Sequence, residues 1–278
     1  MVRHSEVTRL GAGVDADGRL REDAMQRVFD TLDGYKKEID AHRCERAVAV
    51  LTSAVRDSAN GSEFAEAVRT RYGLEPHVLA GSEEARLTFL GATSERDSAD
   101  RAPTLVLDIG GGSTEMIIGT GSEVNFRVST QAGVVRQTER HLHADPPDET
   151  EMDELVADVR EILEANVPAE WRDEVAHGIA VAGTATSLAA IAQHLDPYDA
   201  ERVHGYLVSA AECERILGEL AGMTLDERRN VAGLQPGRAP TIVAGVLIFR
   251  EVLRLFELDQ IEISEHDILR GAALGLAT

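Results

Sequence analysis

The stretch that decides the fold is LVLDIGGGSTEMIIG, residues 105–119. An apolar run ends at Ile109, three glycines and Ser113 follow, and a second apolar run begins near Glu115. Consecutive glycines at the end of a strand cost conformational entropy, so their presence calls for a physical reason. Together with a third run at Val124–Ser129, the pattern predicts a meander of strands joined by glycine-containing turns.

The three glycines predict a phosphate-binding loop. Gly110, Gly111 and Gly112 leave the backbone bare, so that successive N–H groups can turn toward one anion without the help of a lysine. Ser113 and Thr114 can add hydroxyl donors. The alternative is a glycine-rich β-turn that binds nothing, but the strand–loop–strand context with its polar residues favours phosphate.

A carboxylate at the end of the first strand extends this prediction to a metal ion. Asp108 would repel a phosphate group, so an aspartate beside a phosphate loop implies a bridging cation, most naturally Mg²⁺. Two common phosphate motifs are excluded. G-x-x-x-x-G-K-[ST] requires a lysine that is absent, and G-x-G-x-x-G requires glycine where Glu115 stands and a helix where an apolar, strand-like run follows.

Three further segments are candidates for chemistry. In VAGTATSL (181–188), Gly183 and Thr184 stand where a strand meets a helix, which is either a second anion site or merely tight packing. In AGSEEARL, Glu83 and Glu84 fall in the first turn of a predicted helix. One of them is a candidate general base, although glutamates are ordinary at that position because they suit the helix dipole.

Arg56, in the segment TSAVRDSAN just after a predicted strand, is the third of these candidates. Its guanidinium can bind phosphate oxygens in a fork-like geometry. It can equally form an ordinary surface ion pair with Asp57, and both interpretations stay open at this point.

Composition limits the partners and the location. The formal net charge is −21, which argues against duplex nucleic acid because that binding depends on Lys and Arg. No apolar run is long enough to span a bilayer, and the first ten residues lack the apolar region of a secretory signal. With only Cys44 and Cys213 as cysteines, we expect a cytoplasmic protein that does not bind membranes.

A polar segment, Thr93–Pro103, divides the chain into an αβαβα half and a βββαβα…αβα half. This pattern predicts a two-domain α/β protein, with domains at residues 1–103 and 104–278. Three capping motifs are predicted to open helices in the second domain: Ser209-x-x-Glu212, Thr224-x-x-Glu227 and Ser264-x-x-Asp267.

The motifs, taken together, resemble the exopolyphosphatase/guanosine pentaphosphate phosphohydrolase family of the actin-like, sugar kinase and Hsp70 ATPase superfamily. The resemblance covers essentially the whole chain and rests on these segments in this order: TSAVRDSAN, GSEEARLTFLG, LVLDIGGGSTE, AVAGTATSLAAI, RVHG and LRGAALGL. It implies a two-domain actin-like (ribonuclease H-like) α/β fold with a cleft between the domains. It also implies Mg²⁺-dependent hydrolysis that releases a terminal phosphate from polyphosphate or guanosine pentaphosphate (pppGpp).

The resemblance also assigns roles to individual residues. By motif, Glu84 matches the catalytic base, and Asp108 and Glu115 match the acidic residues that organise the metal ion and water. The phosphate contacts that it implies are Arg56, Gly110, Gly111, Gly112, Ser113, Gly183 and Thr184.

One part of the family pattern has no counterpart. Family members open with a hairpin around a D-x-G-[ST]-N-S turn, whereas VDADG here lacks both a preceding strand and the Asn-Ser pair. We therefore expect the first domain to be truncated at its N-terminus. The alternatives to a hydrolase are a catalytically impaired binder of polyphosphate or alarmone and a sugar-kinase-like phosphotransferase. A homodimer is one possible assembly, and the sequence leaves the oligomeric state open.

Overall fold

The computed structural model describes residue 4, residues 6–97 and residues 100–276. The chain forms two compact units, Met1–Glu84 and Ala85–Thr278, so the polar segment that was predicted as a linker belongs to the second unit. Residues 98 and 99 of that segment lie outside the described residues. Within the described ranges, no helix is both long enough and apolar enough to cross a bilayer.

The first unit combines a parallel strand pair with helices. Its strands are β1 (Val48–Leu51) and β2 (Glu75–Val78), and its helices are α1 (Val14–Asp17), α2 (Glu22–Ala41), α3 (Ser53–Arg56), α4 (Gly61–Tyr72) and the start of α5 (Gly81–Ala92). The parallel register places Leu51 opposite Val78, so both strands end at the same edge. The segments that leave these two ends lead to α3 and α5.

The core of the first unit is aromatic. Phe29 of α2 packs against Phe64 and Tyr72 of α4, with ring centroids 5.4 and 6.4 Å apart. The buried Tyr72 hydroxyl donates a hydrogen bond to the carbonyl of Phe29 (2.8 Å), which satisfies the polar end of an otherwise apolar contact. Met25, Val28, Leu32 and Ile39 of α2 also pack against this core, so these residues and Phe29 form the packing face of the helix.

The second unit is built on a larger sheet. Its strands are β3 (Thr104–Ile109), β4 (Thr114–Thr120), β5 (Glu123–Thr130), β6 (His177–Val181), β7 (Leu207–Ser209) and β8 (Gln260–Ile263). Its further helices are α6 (Val134–His141), α7 (Glu149–Asn166), α8 (Ala169–Arg172), α9 (Ala182–Ala192), α10 (Ala200–Val203), α11 (Ala210–Ala221), α12 (Leu225–Arg228), α13 (Ile242–Leu255) and α14 (Ile268–Leu276), with a 3₁₀ turn at Pro236–Arg238.

The strand order of this sheet is β5-β4-β3-β6-β8-β7. The antiparallel meander β3–β4–β5 is confirmed, and β6 lies parallel to β3, with β8 parallel to β6. Strand β7 was not predicted, and it pairs antiparallel with β8 at the edge. Because β3 and β6 are parallel neighbours, their carboxyl ends and the loops that follow them lie at one edge.

Helices cover both faces of the sheet. On one face, Phe89 of α5 packs against Val106 of β3 and Ile117 of β4. On the other face, α7, α9, α11 and α13 contribute to a single large apolar cluster. A strand covered on both faces reads as a continuous apolar run rather than an alternating one, which explains the sequence of β3.

The predicted helix caps have mixed outcomes. Ser209 and Thr224 form complete capping boxes at the starts of α11 and α12, as predicted. The prediction for Ser264 is wrong, because α14 begins only at Ile268. The Ser264 hydroxyl instead accepts a hydrogen bond from the His266 N–H (3.0 Å) in the loop after β8.

Candidate functional site

The glycine loop connects β3 to β4 and is closed by a hydrogen bond from the Gly110 N–H to the Ser113 carbonyl (2.9 Å). Gly111 and Gly112 are exposed. Neither they nor Gly110 has a positive φ, so the glycines are not required for a left-handed backbone. A Cβ on Gly112 would meet nothing within 4 Å, which leaves the outer side of the loop open to a ligand.

The start of α6 determines the orientation of the loop. It donates hydrogen bonds to the carbonyls of all three glycines: Gly110 O accepts from Val134 N–H (2.9 Å), Gly111 O from Val135 N–H (2.8 Å) and Gly112 O from Arg136 Nε (3.1 Å). In a planar trans peptide the N–H points opposite to the C=O. The three N–H groups that follow these carbonyls therefore point away from α6.

These three N–H groups belong to Gly111, Gly112 and Ser113, and none of them donates to an acceptor in the part of the chain that the structure describes. Three adjacent backbone donors on an accessible loop are suited to binding an anion. The sequence predicted that these N–H groups turn toward an anion because glycine leaves the backbone free to do so. In the structure they are oriented by the hydrogen bonds from α6 to the loop carbonyls.

Gly133, just before α6, is a residue of the candidate site that was not predicted from the sequence. A Cβ there would lie 2.2 Å from the Gly112 carbonyl carbon and 2.3 Å from the Ser113 nitrogen. Only glycine therefore allows α6 to approach the loop closely enough to bind its carbonyls. A lone glycine before a helix is the only hint in the sequence, and by itself that signal is weak.

The two predicted acidic residues meet across the meander. Asp108 of β3 and Glu115 of β4 are directly opposite each other, so their side chains lie on the same face of the sheet beside the glycine loop. Both are partly buried, and Glu115 Oε1 accepts a hydrogen bond from Ser129 Oγ (2.8 Å). Two carboxylates on one face are an oxygen donor set of the kind that Mg²⁺ takes, so these residues fit the ion.

The second predicted loop lies beside the first. Val181, the last residue of β6, is opposite Asp108 in the parallel register, and Gly183 and Thr184 follow in the first turn of α9. The Thr184 hydroxyl donates to the Ile109 carbonyl (3.1 Å) at the end of β3. This bond joins the two loops. Because the Thr184 hydroxyl donates its hydrogen to a protein carbonyl, it does not also donate it to a phosphate group.

The hydroxyl of Thr114 is also used internally. It is fully buried and donates to the Ala132 carbonyl (2.7 Å), so it is not the exposed donor that the sequence suggested. Phosphate contacts by Gly183, Thr184 and Ser113 stay predictions, and backbone N–H groups are the donors best placed for them.

A second residue that the sequence reasoning missed, Arg238, lies against Gly183. A Cβ on Gly183 would be only 1.7 Å from Arg238 Nη1, so the guanidinium rests directly on the bare backbone of the loop. Burial lowers the pKa of Arg238, and the nearby Tyr198 opposes this shift. The arrangement adds a partly buried cation to the second loop, and no motif links these distant positions in the sequence.

In the first unit, the structure brings Arg56 and Glu84 together. Arg56 Nη1 donates to Glu84 Oε2 (2.8 Å) and to the Leu79 carbonyl (2.9 Å). The two side chains are 29% and 16% exposed, so the pair is more shielded than an ordinary surface ion pair. Arg56 Nε also donates to Asp57 Oδ1 (3.2 Å), which is the alternative that the sequence left open.

The carboxylates keep Arg56 charged. Burial alone would lower its pKa, but the hydrogen bond to Glu84 and the charges of Asp57 and Glu84 outweigh burial and raise the pKa above the ordinary value. Arg56 is therefore a permanent cation that holds the Glu84 carboxylate in one orientation. Whether it also contacts phosphate stays a prediction.

One group of potential metal ligands lies outside these loops, and its hydrogen bonds indicate a structural role. Glu95 accepts from His204 Nε2 (3.2 Å) and from Arg270 Nη2 (3.1 Å). His204 Nδ1 accepts from the Glu265 N–H, and His266 Nε2 accepts from Arg270 Nη1. A metal-ligating histidine normally donates from its second nitrogen, which is the opposite arrangement.

Comparison with known proteins assigns the family. The Ppx/GppA phosphatase family model matches residues 1–276. "Exopolyphosphatase 2" of Mycobacterium tuberculosis is 39% identical over 284 residues, which cover 99% of this chain and 88% of that protein. "Guanosine-5'-triphosphate,3'-diphosphate pyrophosphatase" of Photobacterium profundum is 34% identical over 134 residues, covering 48% of this chain and 27% of that protein.

A solved exopolyphosphatase from Cytophaga hutchinsonii has the same fold, with a TM-score of 0.87, 30% identity, and coverage of 99% of this chain and 89% of that chain. The likeness confirms the predicted α/β fold of actin-like type. A glycine loop with outward N–H groups, a facing carboxylate pair and the full-length family match agree with one another, and the chain belongs to the Ppx/GppA phosphatase family.

Proposed function

We propose that this chain hydrolyses phosphoanhydride bonds and releases the terminal phosphate of inorganic polyphosphate, of pppGpp, or of both. The names of its relatives support this substrate class, because one is an exopolyphosphatase and another acts on guanosine 5'-triphosphate 3'-diphosphate. The observation that carries the proposal is the glycine loop, whose three outward N–H groups are suited to the oxygens of a phosphate group.

Each group of candidate residues has its own role in the proposed reaction. In the proposed reaction a water oxygen attacks the terminal phosphorus and one proton of the water passes to Glu84, while the other stays on the released phosphate. The bond from phosphorus to the bridging oxygen breaks, and that oxygen leaves with the electron pair as part of the shortened phosphate chain. Arg56 orients the Glu84 carboxylate through its 2.8 Å hydrogen bond. The N–H groups of Gly111, Gly112 and Ser113 bind the phosphoryl oxygens of the substrate and hold the terminal phosphorus in place for the attack.

Asp108 and Glu115 are the residues that would hold Mg²⁺, directly or through water. When bound, Mg²⁺ would neutralise charge on the phosphate chain and polarise a phosphoryl oxygen. A metal ion is needed on physical grounds, because two carboxylates beside a phosphate loop would otherwise repel the substrate.

The decisive test compares phosphate release from polyphosphate and from pppGpp, side by side, for the wild type and for Glu84→Gln. Because a general base contributes about 10²–10⁴-fold, we expect kcat to fall by at least about a hundredfold with little change in thermal stability. Glu83→Gln is the matched control, since it removes the neighbouring carboxylate of the same helical turn. Retention of full activity by Glu84→Gln would exclude the proposed mechanism.

The same assay separates the alternatives. Binding of polyphosphate by the wild type without any release would support a non-catalytic binder instead. Production of ADP from ATP only when a sugar is added would indicate a phosphotransferase. Loss of release when Mg²⁺ is removed with a chelator, and its recovery on adding Mg²⁺ back, is the outcome expected for the proposed hydrolase.

A further inference from the structure

Arg136 occupies a particular position among the groups that hold the glycine loop. Two of the three loop carbonyls, those of Gly110 and Gly111, accept hydrogen bonds from backbone N–H groups of α6. The third, that of Gly112, accepts from a side chain, Arg136 Nε (3.1 Å). Two of the three contacts are thus fixed by the helix backbone, whereas the third depends on the identity of residue 136.

We propose that Arg136 is a positioning residue for phosphate binding. By holding the Gly112 carbonyl, its Nε–H fixes the rotation of the Gly112–Ser113 peptide plane. Because the peptide is planar and trans, the Ser113 N–H is thereby kept pointing to the ligand side of the loop. This role rests on the proposed function, and the ligand is the terminal phosphate group of a phosphoanhydride substrate.

The loop needs such a restraint at this point. Gly112 has no Cβ and is exposed, and the space around it is open, so the peptide that follows it is free to rotate unless its carbonyl is held. Rotation by half a turn would replace the Ser113 N–H with the Gly112 carbonyl oxygen, which repels phosphate. The hydrogen bond from Arg136 Nε to the Gly112 carbonyl therefore keeps a donor, rather than a carbonyl oxygen, facing the phosphate.

Arg136 is itself held in place. Its side chain is partly buried, and its Nη1 donates to Gln131 Oε1 (3.4 Å) in the segment that leads from β5 to α6. Its backbone N–H also donates to the Gly111 carbonyl (3.3 Å). Both ends of the residue are thus attached to the loop or to its neighbouring segment, which limits the freedom of the guanidinium.

Two substitutions distinguish this role from a simple effect of charge. In Arg136→Gln, the Nε2 amide nitrogen is the same number of bonds from Cα as Arg Nε, so a donor is kept while the charge is lost. In Arg136→Met, the side chain has similar length but no donor. Positioning through the hydrogen bond requires the glutamine variant to rescue function, whereas a direct charge contact requires both variants to fail equally.

The experiment measures steady-state release of phosphate from tripolyphosphate and, in parallel, binding of tripolyphosphate by calorimetry. For Arg136→Met we expect KM and Kd to rise about tenfold, which is the effect of one well-placed hydrogen bond, with kcat changed less than about threefold. For Arg136→Gln we expect both constants within about threefold of the wild type. If Arg136 had only a structural role, Arg136→Met would lower thermal stability, and KM would not rise while kcat stayed nearly constant.

Arg215→Met is the control, because Arg215 carries the same charge but lies on α11 and pairs with Glu219 of its own helix rather than with the loop or with α6. If both Arg136 variants raise Kd equally, or neither changes it, positioning by Nε is refuted. If Arg136→Met does not fold, Arg136→Ala against Arg136→Gln makes the same comparison. If the wild type binds tripolyphosphate without releasing phosphate, the hydrolase proposal fails while calorimetry still decides the role of Arg136.

Discussion

Arg56 Nη1 donates to Glu84 Oε2 across 2.8 Å and to the Leu79 carbonyl across 2.9 Å. One guanidinium nitrogen thus joins the end of α3 to the segment between β2 and α5, through Leu79, and to the first turn of α5, through Glu84. The contact follows from topology, because β1 and β2 are parallel and both chain segments leave the pair at the same edge. The candidate base is therefore oriented by a residue from the neighbouring strand–helix connection.

Arg56→Lys should impair catalysis even though it conserves the charge. An ammonium group lacks the planar fork that lets Arg56 hold Leu79, Asp57 and Glu84 together. We expect kcat to fall about tenfold or more, measured as phosphate release at saturating polyphosphate. Asp57→Asn is the control, since Asp57 is 61% exposed and should change kcat less than about threefold. Unchanged activity in Arg56→Lys would contradict an orienting role.

Gly133→Ala tests whether close approach of α6 creates the phosphate surface. Gly133 has φ −87°, which alanine adopts readily, so any effect comes from space alone. The added Cβ would lie 2.2–2.4 Å from backbone atoms of the loop, and the loop or the helix must move away. We expect tripolyphosphate binding to weaken by at least about tenfold and the protein to lose about 1–3 kcal/mol of stability.

The control for that substitution is Gly218→Ala in α11, where a Cβ would meet nothing within 4 Å. Alanine in an open helical position should raise stability by about 0.5–1 kcal/mol and leave binding unchanged. Calorimetry for tripolyphosphate and urea unfolding compare the two variants. Equal binding by Gly133→Ala and wild type would mean that α6 does not shape the loop.

Most of the fold could be predicted because its elements carry strong local patterns. The meander follows from apolar runs separated by glycine turns, and its register brings Asp108 opposite Glu115. Strand β7 was missed because the three residues Leu207–Ser209 are too few to show an alternation. The cap at Ser264 was misplaced because a serine three residues before an acid also occurs in loops, where its hydroxyl serves nearby backbone N–H groups.

The candidate site was only partly predictable, since side-chain types show what a residue can do but not where it points. Thr114 was predicted as a hydroxyl donor to phosphate and Thr184 as part of an anion site, yet both hydroxyls donate to protein carbonyls. Gly133 left only a weak signal and Arg136 left none, because both contact backbone atoms of the loop, which every residue has. Arg238 was missed because only the tertiary fold brings it onto Gly183.

Acid should weaken the contact between α6, the helix that binds the loop carbonyls, and α7. Asp158 of α7 accepts hydrogen bonds on Oδ2 from three residues of α6: Gln137 (3.1 Å), Arg140 (2.9 Å) and His141 (3.2 Å). Burial would raise the pKa of Asp158, but these hydrogen bonds outweigh burial and lower it below the ordinary value of 3.8. The ionised carboxylate therefore stabilises the folded state.

The sign of the pH dependence follows from this direction. A carboxyl group with a depressed folded pKa contributes its full stability above the unfolded pKa of about 3.9 and loses it as the pH falls through the folded pKa. Asp158→Asn should therefore lower the free energy of unfolding by about 1–2 kcal/mol at pH 7. Between pH 4 and the folded pKa the wild type should lose that advantage, so that the two unfolding curves converge.

Urea unfolding of both proteins at pH 7 and at pH 3 measures this convergence. Asp226→Asn is the control, because that carboxylate is 88% exposed and pairs only with Arg229 of its own helical segment among the contacts described. Its removal should leave stability within about 0.5 kcal/mol of the wild type at both pH values. A difference between Asp158→Asn and wild type that stays constant from pH 7 to pH 3 would show that packing, rather than the ionised carboxylate, joins α6 to α7.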